Sequence, residues 1–187
     1  RECIQKFSSG AKKLFRYGHT GWREIDGQWT FLHAGRTDVD VHLDNHLKRY
    51  ALPEKPERID EAIEQSLSLL KTGPDEVMIP LLSSVYLAPL SSFLKPDFVL
   101  FMVGVTGSLK SSLAALFLSH YGNFRDKSDL PASWESTDNA LEHRLFILKD
   151  VPCVVDDYAP RSDALSQRRQ EGRAQRIIRS IGNQSAR

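Results

Sequence analysis

The segment from Phe98 to Gly122, FVLFMVGVTGSLKSSLAALFLSHYG, constrains this chain more than any other. An apolar run, Phe98 to Val103, leads into Gly104-Val-Thr-Gly107-Ser-Leu-Lys110-Ser111. An amphipathic stretch then continues without a breaker to Gly122. That order predicts a buried strand, a glycine loop and a helix. Loops of this composition gather backbone N–H groups into a concave nest for phosphate oxygens. The start of the following helix adds unsatisfied donors and positive dipole. A lysine at the end of such a loop reaches the terminal phosphates, and the hydroxyl after it can ligate Mg²⁺. Gly104, Val105, Thr106, Gly107, Ser108, Leu109, Lys110, Ser111 and Ser112 are therefore expected to bind a nucleoside triphosphate, with ATP as the substrate.

One position departs from the G-x-x-x-x-G-K-[ST] spacing. Leu109 stands where that pattern has a glycine, and the second glycine falls at Gly107. A left-handed backbone at Leu109 would cost about 1–2 kcal/mol, which a tight nucleotide site can absorb. On the loop alone, a plain glycine turn with a solvated Lys110 stays open.

A second motif, Val151-Pro-Cys153-Val154-Val155-Asp156-Asp157, reads as a short buried strand ending in two carboxylates. In P-loop ATPases the first such acid belongs to the Mg²⁺ shell, whose preferred ligands are carboxylate, water and phosphate oxygen. The second is placed to act as general base on the attacking water. Ser111 and Asp156 are accordingly the expected metal ligands, and Lys110 and Asp157 the expected catalytic residues. Two acids alone could equally form a solvated turn or a helix cap. Between the motifs, Leu113, Leu116 and Phe117 recur at helical spacing, and Leu130 to Trp134 is a candidate short central strand. Asn139, with Glu142 three residues on, predicts a capped helix reaching about Lys149.

The loop Gly104-x-Thr106-Gly107-x-x-Lys110-Ser111, the segment LPASWESTDNALEHRLFILKD and the strand closing on Asp156-Asp157-Tyr158-Ala-Pro together resemble a family of mobile-element proteins. These are the ATPase parts of primase–helicases from phages, plasmids and integrative elements, with the staphylococcal cassette chromosome helicases among their relatives. His19-Thr-Gly-Trp22-Arg-Glu-Ile-Asp-Gly27-Gln-Trp29-Thr-Phe-Leu-His33 resembles the segment that precedes the ATPase in that family, so the likeness runs from about His19 to Arg187. The resemblance implies a P-loop NTPase core of the AAA+ kind, a three-layer α/β sandwich that forms a homo-oligomeric ring on DNA and hydrolyses ATP. Lys110, Ser111, Asp156 and Asp157 carry over as its nucleotide-site residues.

A complete core of that kind also has a further strand with a polar sensor residue, an arginine finger and a helical lid. The residues after Asp157 leave no room for these, so the core is expected to be incomplete at its C-terminus, binding ATP without efficient turnover on its own. Two other readings stay open. One is a phosphotransferase acting on a small acceptor. The other is a nucleotide-binding or DNA-binding module without turnover.

The chain divides into three expected parts: a small β-rich segment over 1–55, a helical segment over 56–96 and the ATPase core over 97–187. Asp26-Gly27 predicts a hairpin turn between Trp22-Arg-Glu-Ile and Gln-Trp-Thr-Phe-Leu. Ile59, Ile63, Leu67 and Leu70 mark a helical stripe that Gly73-Pro74 ends, and a second helical segment reaches about Leu94. Trp22, Trp29 and Phe31 suit the packing of a small sheet, with stacking on nucleic-acid bases as the other use of such rings.

Charge informs only when divided. The chain totals +1, yet Arg161 to Arg187 carries seven arginines against Asp163 and Glu171, a local +5 that leaves −4 for the rest. Arg169, Arg173 and Arg176 share one helical face, able to contact DNA phosphates or the nucleotide of a neighbouring subunit. A solvated face is the plain alternative. Cys3 and Cys153 do not make a disulfide framework, and Cys153 reads as a buried thiol. His42-x-x-x-His46 has metal-ligand spacing but no third ligand nearby. Val77 to Leu94 is apolar enough to consider as a membrane span, but Pro80, Pro89 and its serines favour a packed or kinked helix. With no signal-peptide core at the N-terminus, a cytoplasmic protein outside the membrane is expected.

Overall fold

The computed structural model describes residues 14–44, 46–53, 55, 57–159 and 163–183. Cys3, Arg161 and Arg187 lie outside them. The fold mixes helices with small two-stranded sheets, an α/β arrangement.

Strand β1 (Arg16–Tyr17) pairs in parallel with β4 (Asp40–Val41). Between them β2 (Gly21–Ile25) and β3 (Gln28–Leu32) form the antiparallel hairpin predicted from Asp26-Gly27. The two turn residues have φ of 49° and 79°, the pair of positive values that a two-residue type I′ turn requires. The hairpin's aromatic residues share one face. Trp22 lies edge-on to Phe31 at 5.1 Å and donates its indole N–H to the Pro89 carbonyl at 2.8 Å. Trp29, 61% exposed, lies edge-on to Phe93, which Trp22 also meets.

Helix α1 (Ile59–Ser68) runs into a 3-10 turn, Leu69–Thr72, before Gly73-Pro74. Its apolar stripe does not sink into the core: Ile59, Ile63 and Leu67 stay about half exposed, and Ser66 is the buried residue. The helix is held by polar contacts instead. Ser66 Oγ lies 2.7 Å from His120 Nε2 and accepts from the Tyr86 hydroxyl at 2.9 Å. Helix α2 (Asp75–Leu87) continues through a 3-10 turn at Ala88–Leu90 into α3 (Ser91–Leu94). Asp75–Leu94 is long and apolar enough to cross a membrane by length and composition; here Met78, Leu81, Leu82 and Val85 of α2 are buried.

Helix α4 (Lys110–Leu118) buries Ala114, Ala115, Phe117 and Leu118 against that same core. Strand β5 (Ala132–Ser133) pairs in parallel with β6 (Val155–Asp156), joined through helix α5 (Asp138–Ile147). Helix α6 (Ala164–Gly182) then covers a second cluster of Ala132, Trp134, Leu141, Ala174 and Ile177. The first cluster gathers Leu43, Leu47, Tyr50, the α2 and α4 residues, Tyr121 and Phe124.

Two expectations need correction. Phe98–Val103 forms no strand. Phe98 and Phe101 are half exposed and Val103 is 85% exposed. An apolar run becomes a central parallel strand only when neighbours supply ladder bonds on its flanks, and the described residues supply none. Helix α5 is capped by Thr137, not Asn139: its extended backbone lets Oγ1 accept the Ala140 N–H at 3.3 Å. The helix ends at Ile147, short of Lys149, because Leu148 turns out of the helical region.

Candidate functional site

The loop between Val103 and α4 is built around two residues with positive φ. Gly107 adopts 85° at no steric cost, whereas Leu109, directly before the helix, sits in the left-handed region at φ 59°, ψ 19° with its side chain 72% exposed. The missing glycine is thus felt as backbone strain at the position the spacing singled out. The first N–H groups of α4, directly after it, have no intrahelical acceptors.

Lys110 folds back over the loop. Its Nζ donates to the carbonyls of Gly104 and Val105 at 2.9 and 2.8 Å, and to Ser108 Oγ at 3.1 Å. Ser108 Oγ in turn donates to the Val105 carbonyl at 2.8 Å. The ammonium therefore sits at the mouth of the loop, where an anion would meet it. Next to it, Ser111 Oγ donates to Asp156 Oδ1 at 2.9 Å. The two predicted metal ligands, 45 residues apart in sequence, are in direct contact.

Asp157 is exposed and left-handed at φ 62°. Its carbonyl accepts from the Ala159 N–H at 2.9 Å, tightening the chain as it leaves β6. Thr106, Gly107, Ser108, Leu109, Lys110, Ser111, Ser112, Asp156 and Asp157 all border one cavity of about 2180 Å³, walled also by Val151–Val155 and by α6. That volume exceeds the roughly 300–1,000 Å³ of most small-molecule pockets. Among the described residues no cluster of three or more His, Cys, Asp or Glu could cage a metal.

The arginine face of α6 separates into two kinds of residue. Arg169 is exposed. Arg173 and Arg176 instead reach the start of α5: both bind the Asp138 carboxylate, at 2.5 and 2.6 Å, and Arg176 Nε also meets Glu142 at 3.2 Å. The Arg176 hydrogen bond, followed by the charges of Arg173 and Arg176, holds the Asp138 carboxyl below the usual carboxylate range.

Tyr158 and Asp150 had no role in the sequence reading. Tyr158 stands edge-on to both Trp134, at 5.4 Å, and Phe101, at 5.5 Å, bridging β5 to the apolar segment before the loop. The buried Asp150 carboxylate accepts from the Trp22 and Ser92 N–H groups and from the Ser92 hydroxyl, fixing the entrance to β6. An aspartate directly before the apolar run Val151–Val155 was the available signal. Cys153 packs between the two cores, and burial pushes its thiol up to about 12, so it stays protonated.

The family model for a domain of unknown function, DUF927, matches residues 3–184, and the chain belongs to that family. No curated protein and no solved structure matches it.

Proposed function

We propose that this chain binds a nucleoside triphosphate, ATP, through residues 104–112 and serves as the motor core of a DNA helicase-like replication protein of a mobile element. The observation that carries the reading is the contact between Ser111 and Asp156 at 2.9 Å beside the Lys110 ammonium. A hydroxyl and a carboxylate bonded to each other at the mouth of a glycine loop form a hard-oxygen pair of the kind Mg²⁺ takes alongside phosphate oxygens and water. The donor set therefore suits Mg²⁺ bound together with nucleotide, and it does not suit a metal held by protein groups alone.

On this reading Lys110 leaves the Gly104 and Val105 carbonyls and neutralises the β- and γ-phosphates, while N–H groups from Thr106 to Ser112 cradle them. Mg²⁺, when bound, offsets charge on the phosphate oxygens. Asp157 orients the attacking water and takes its proton. The exposed Arg169 supplies phosphate contacts to DNA. Arg173 and Arg176 serve the subunit's own architecture. A homo-oligomeric ring on DNA and a cytoplasmic setting complete the proposal.

Isothermal titration of ATP into wild type and Lys110→Ala, with Mg²⁺ present, tests the central claim. Affinity should be lost in the variant. Equal binding by both proteins, or none by either, would remove the nucleotide reading.

A further inference from the structure

We infer that Arg173 is a positioning residue for the nucleotide site, acting from α6 through the loop after β5 on Asp156. The inference rests on the nucleotide reading proposed above. The links are short and continuous. Arg173 Nη1 donates to the carbonyls of Trp134 and Ser136 at 2.6 and 2.7 Å, and Nη2 meets the Asp138 carboxylate at 2.5 Å. Those carbonyls belong to the chain as it leaves β5. Ser133 stands in register with Asp156, and the Trp134 N–H donates to the Asp156 carbonyl at 2.9 Å. The Asp156 carboxylate then accepts from Ser111. One residue, Trp134, thus receives the guanidinium on its carbonyl and fixes Asp156 with its N–H.

The chemistry favours arginine at this point. A planar fork can satisfy two carbonyls and a carboxylate together, which a point charge cannot do as well. The Arg173 side chain is 20% exposed and the Trp134 that it bonds is buried, whereas the Asp138 carboxylate is 44% exposed. Arg176 differs: it shares the Asp138 carboxylate and meets Glu142, with its side chain 54% exposed, but bonds none of the carbonyls of the chain leaving β5. It is the natural control. Groups that orient a metal ligand from behind typically change metal affinity by about 10–100-fold when removed.

The test uses the 187-residue chain with Arg173→Gln, Arg173→Lys and Arg176→Gln, each checked for folding by circular dichroism. ATP affinity is measured by titration in Mg²⁺ and again in EDTA, and the ratio gives the metal-linked gain. Arg173→Gln should lose about tenfold or more of that gain, with the EDTA affinity unchanged. Arg173→Lys should recover part of it, and Arg176→Gln should keep all of it. Full retention of the gain by Arg173→Gln would overturn the inference. So would equal losses in Mg²⁺ and EDTA, which mark a merely structural residue. If Arg173→Gln does not fold, Arg173→Lys decides: a partial loss of the gain upholds the inference and full retention overturns it. Failure of wild type to bind ATP at all would instead remove the nucleotide reading on which it rests.

Discussion

The hydroxyl of Ser111, in the first turn of α4, donates a 2.9 Å hydrogen bond to the carboxylate of Asp156 at the end of β6. This bond joins two segments 45 residues apart in sequence that both pack into the main core and border one cavity. A hydrogen bond to a charged acceptor contributes about 1.5–3 kcal/mol when sheltered. Both partners here are partly exposed, so about 1 kcal/mol is the expected coupling. Urea denaturation of Ser111→Ala, Asp156→Ala and the double variant, without nucleotide, measures it as a double-mutant cycle. Additive losses would show that the pair does not form in solution.

Leu109→Gly should stabilise the protein. The left-handed backbone at φ 59° costs a leucine about 1–2 kcal/mol relative to glycine. Glycine returns about 0.5–1 kcal/mol of that through its freer unfolded chain. The side chain is 72% exposed, so little burial is forfeited. A net gain of about 0–1.5 kcal/mol is expected in chemical denaturation, whereas Leu109→Ala should show none. If Leu109→Gly proved less stable than wild type, the loop would have to adopt another conformation.

Local features of this fold were legible in the sequence, and longer-range ones were not. Asp26-Gly27 specified its hairpin because a two-residue turn demands two positive φ values and few residue pairs tolerate them. Ser111 and Asp156, expected from type and order to lie in one site, do meet, at 2.9 Å. Phe98–Val103 was misjudged because hydrophobicity marks a segment that seeks burial and does not say whether a partner strand lies beside it. The stripe of Ile59, Ile63 and Leu67 marks helix α1 as its spacing predicts, while the helix's polar anchor on Ser66, His120 and Tyr86 has no periodic signal. The partners of Arg173 and Arg176, in the chain after β5 and on α5, were not legible because they come together with them only in three dimensions.

The junction at Asp150 should be a stability hot spot. Its carboxylate, 5% exposed, takes the N–H groups of Trp22 at 3.0 Å and Ser92 at 2.8 Å, tying the hairpin to α3. Asp150→Ala takes the acceptor from both donors, Trp22 being half-buried and Ser92 exposed, an expected loss of about 1–3 kcal/mol. Gly21→Ala should harm the same junction. Gly21 has φ of 91°, and an added Cβ would lie 2.5 Å from both an Asp150 carboxylate oxygen and the Lys149 carbonyl oxygen. Because the two lesions share one contact, denaturation of the double variant should show less than the sum of the single losses. Full additivity would separate the hairpin from Asp150.

Asp138 gives the fold an acid-sensitive contact whose sign is fixed by its partners. The Arg176 hydrogen bond, followed by the nearby arginine charges, depresses its folded-state value below the ordinary carboxylate range. A depressed acid contributes stability that is complete above its unfolded value, near about pH 4. That contribution is lost as pH falls through the folded value. The side chain is 44% exposed, so solvent screening keeps the effect small, under about 1 kcal/mol. Thr137, and not Asp138, supplies the helix cap, so Asp138→Asn removes the charge without removing the cap. Wild type should therefore exceed Asp138→Asn in stability at about pH 6, with the gap narrowing and closing as the solution is taken below about pH 4. High salt at the upper pH should shrink the gap as well. Denaturation midpoints of the two proteins across that range decide the matter, and a gap that stays constant with pH would show that the ionised pair with Arg173 and Arg176 contributes nothing to the fold.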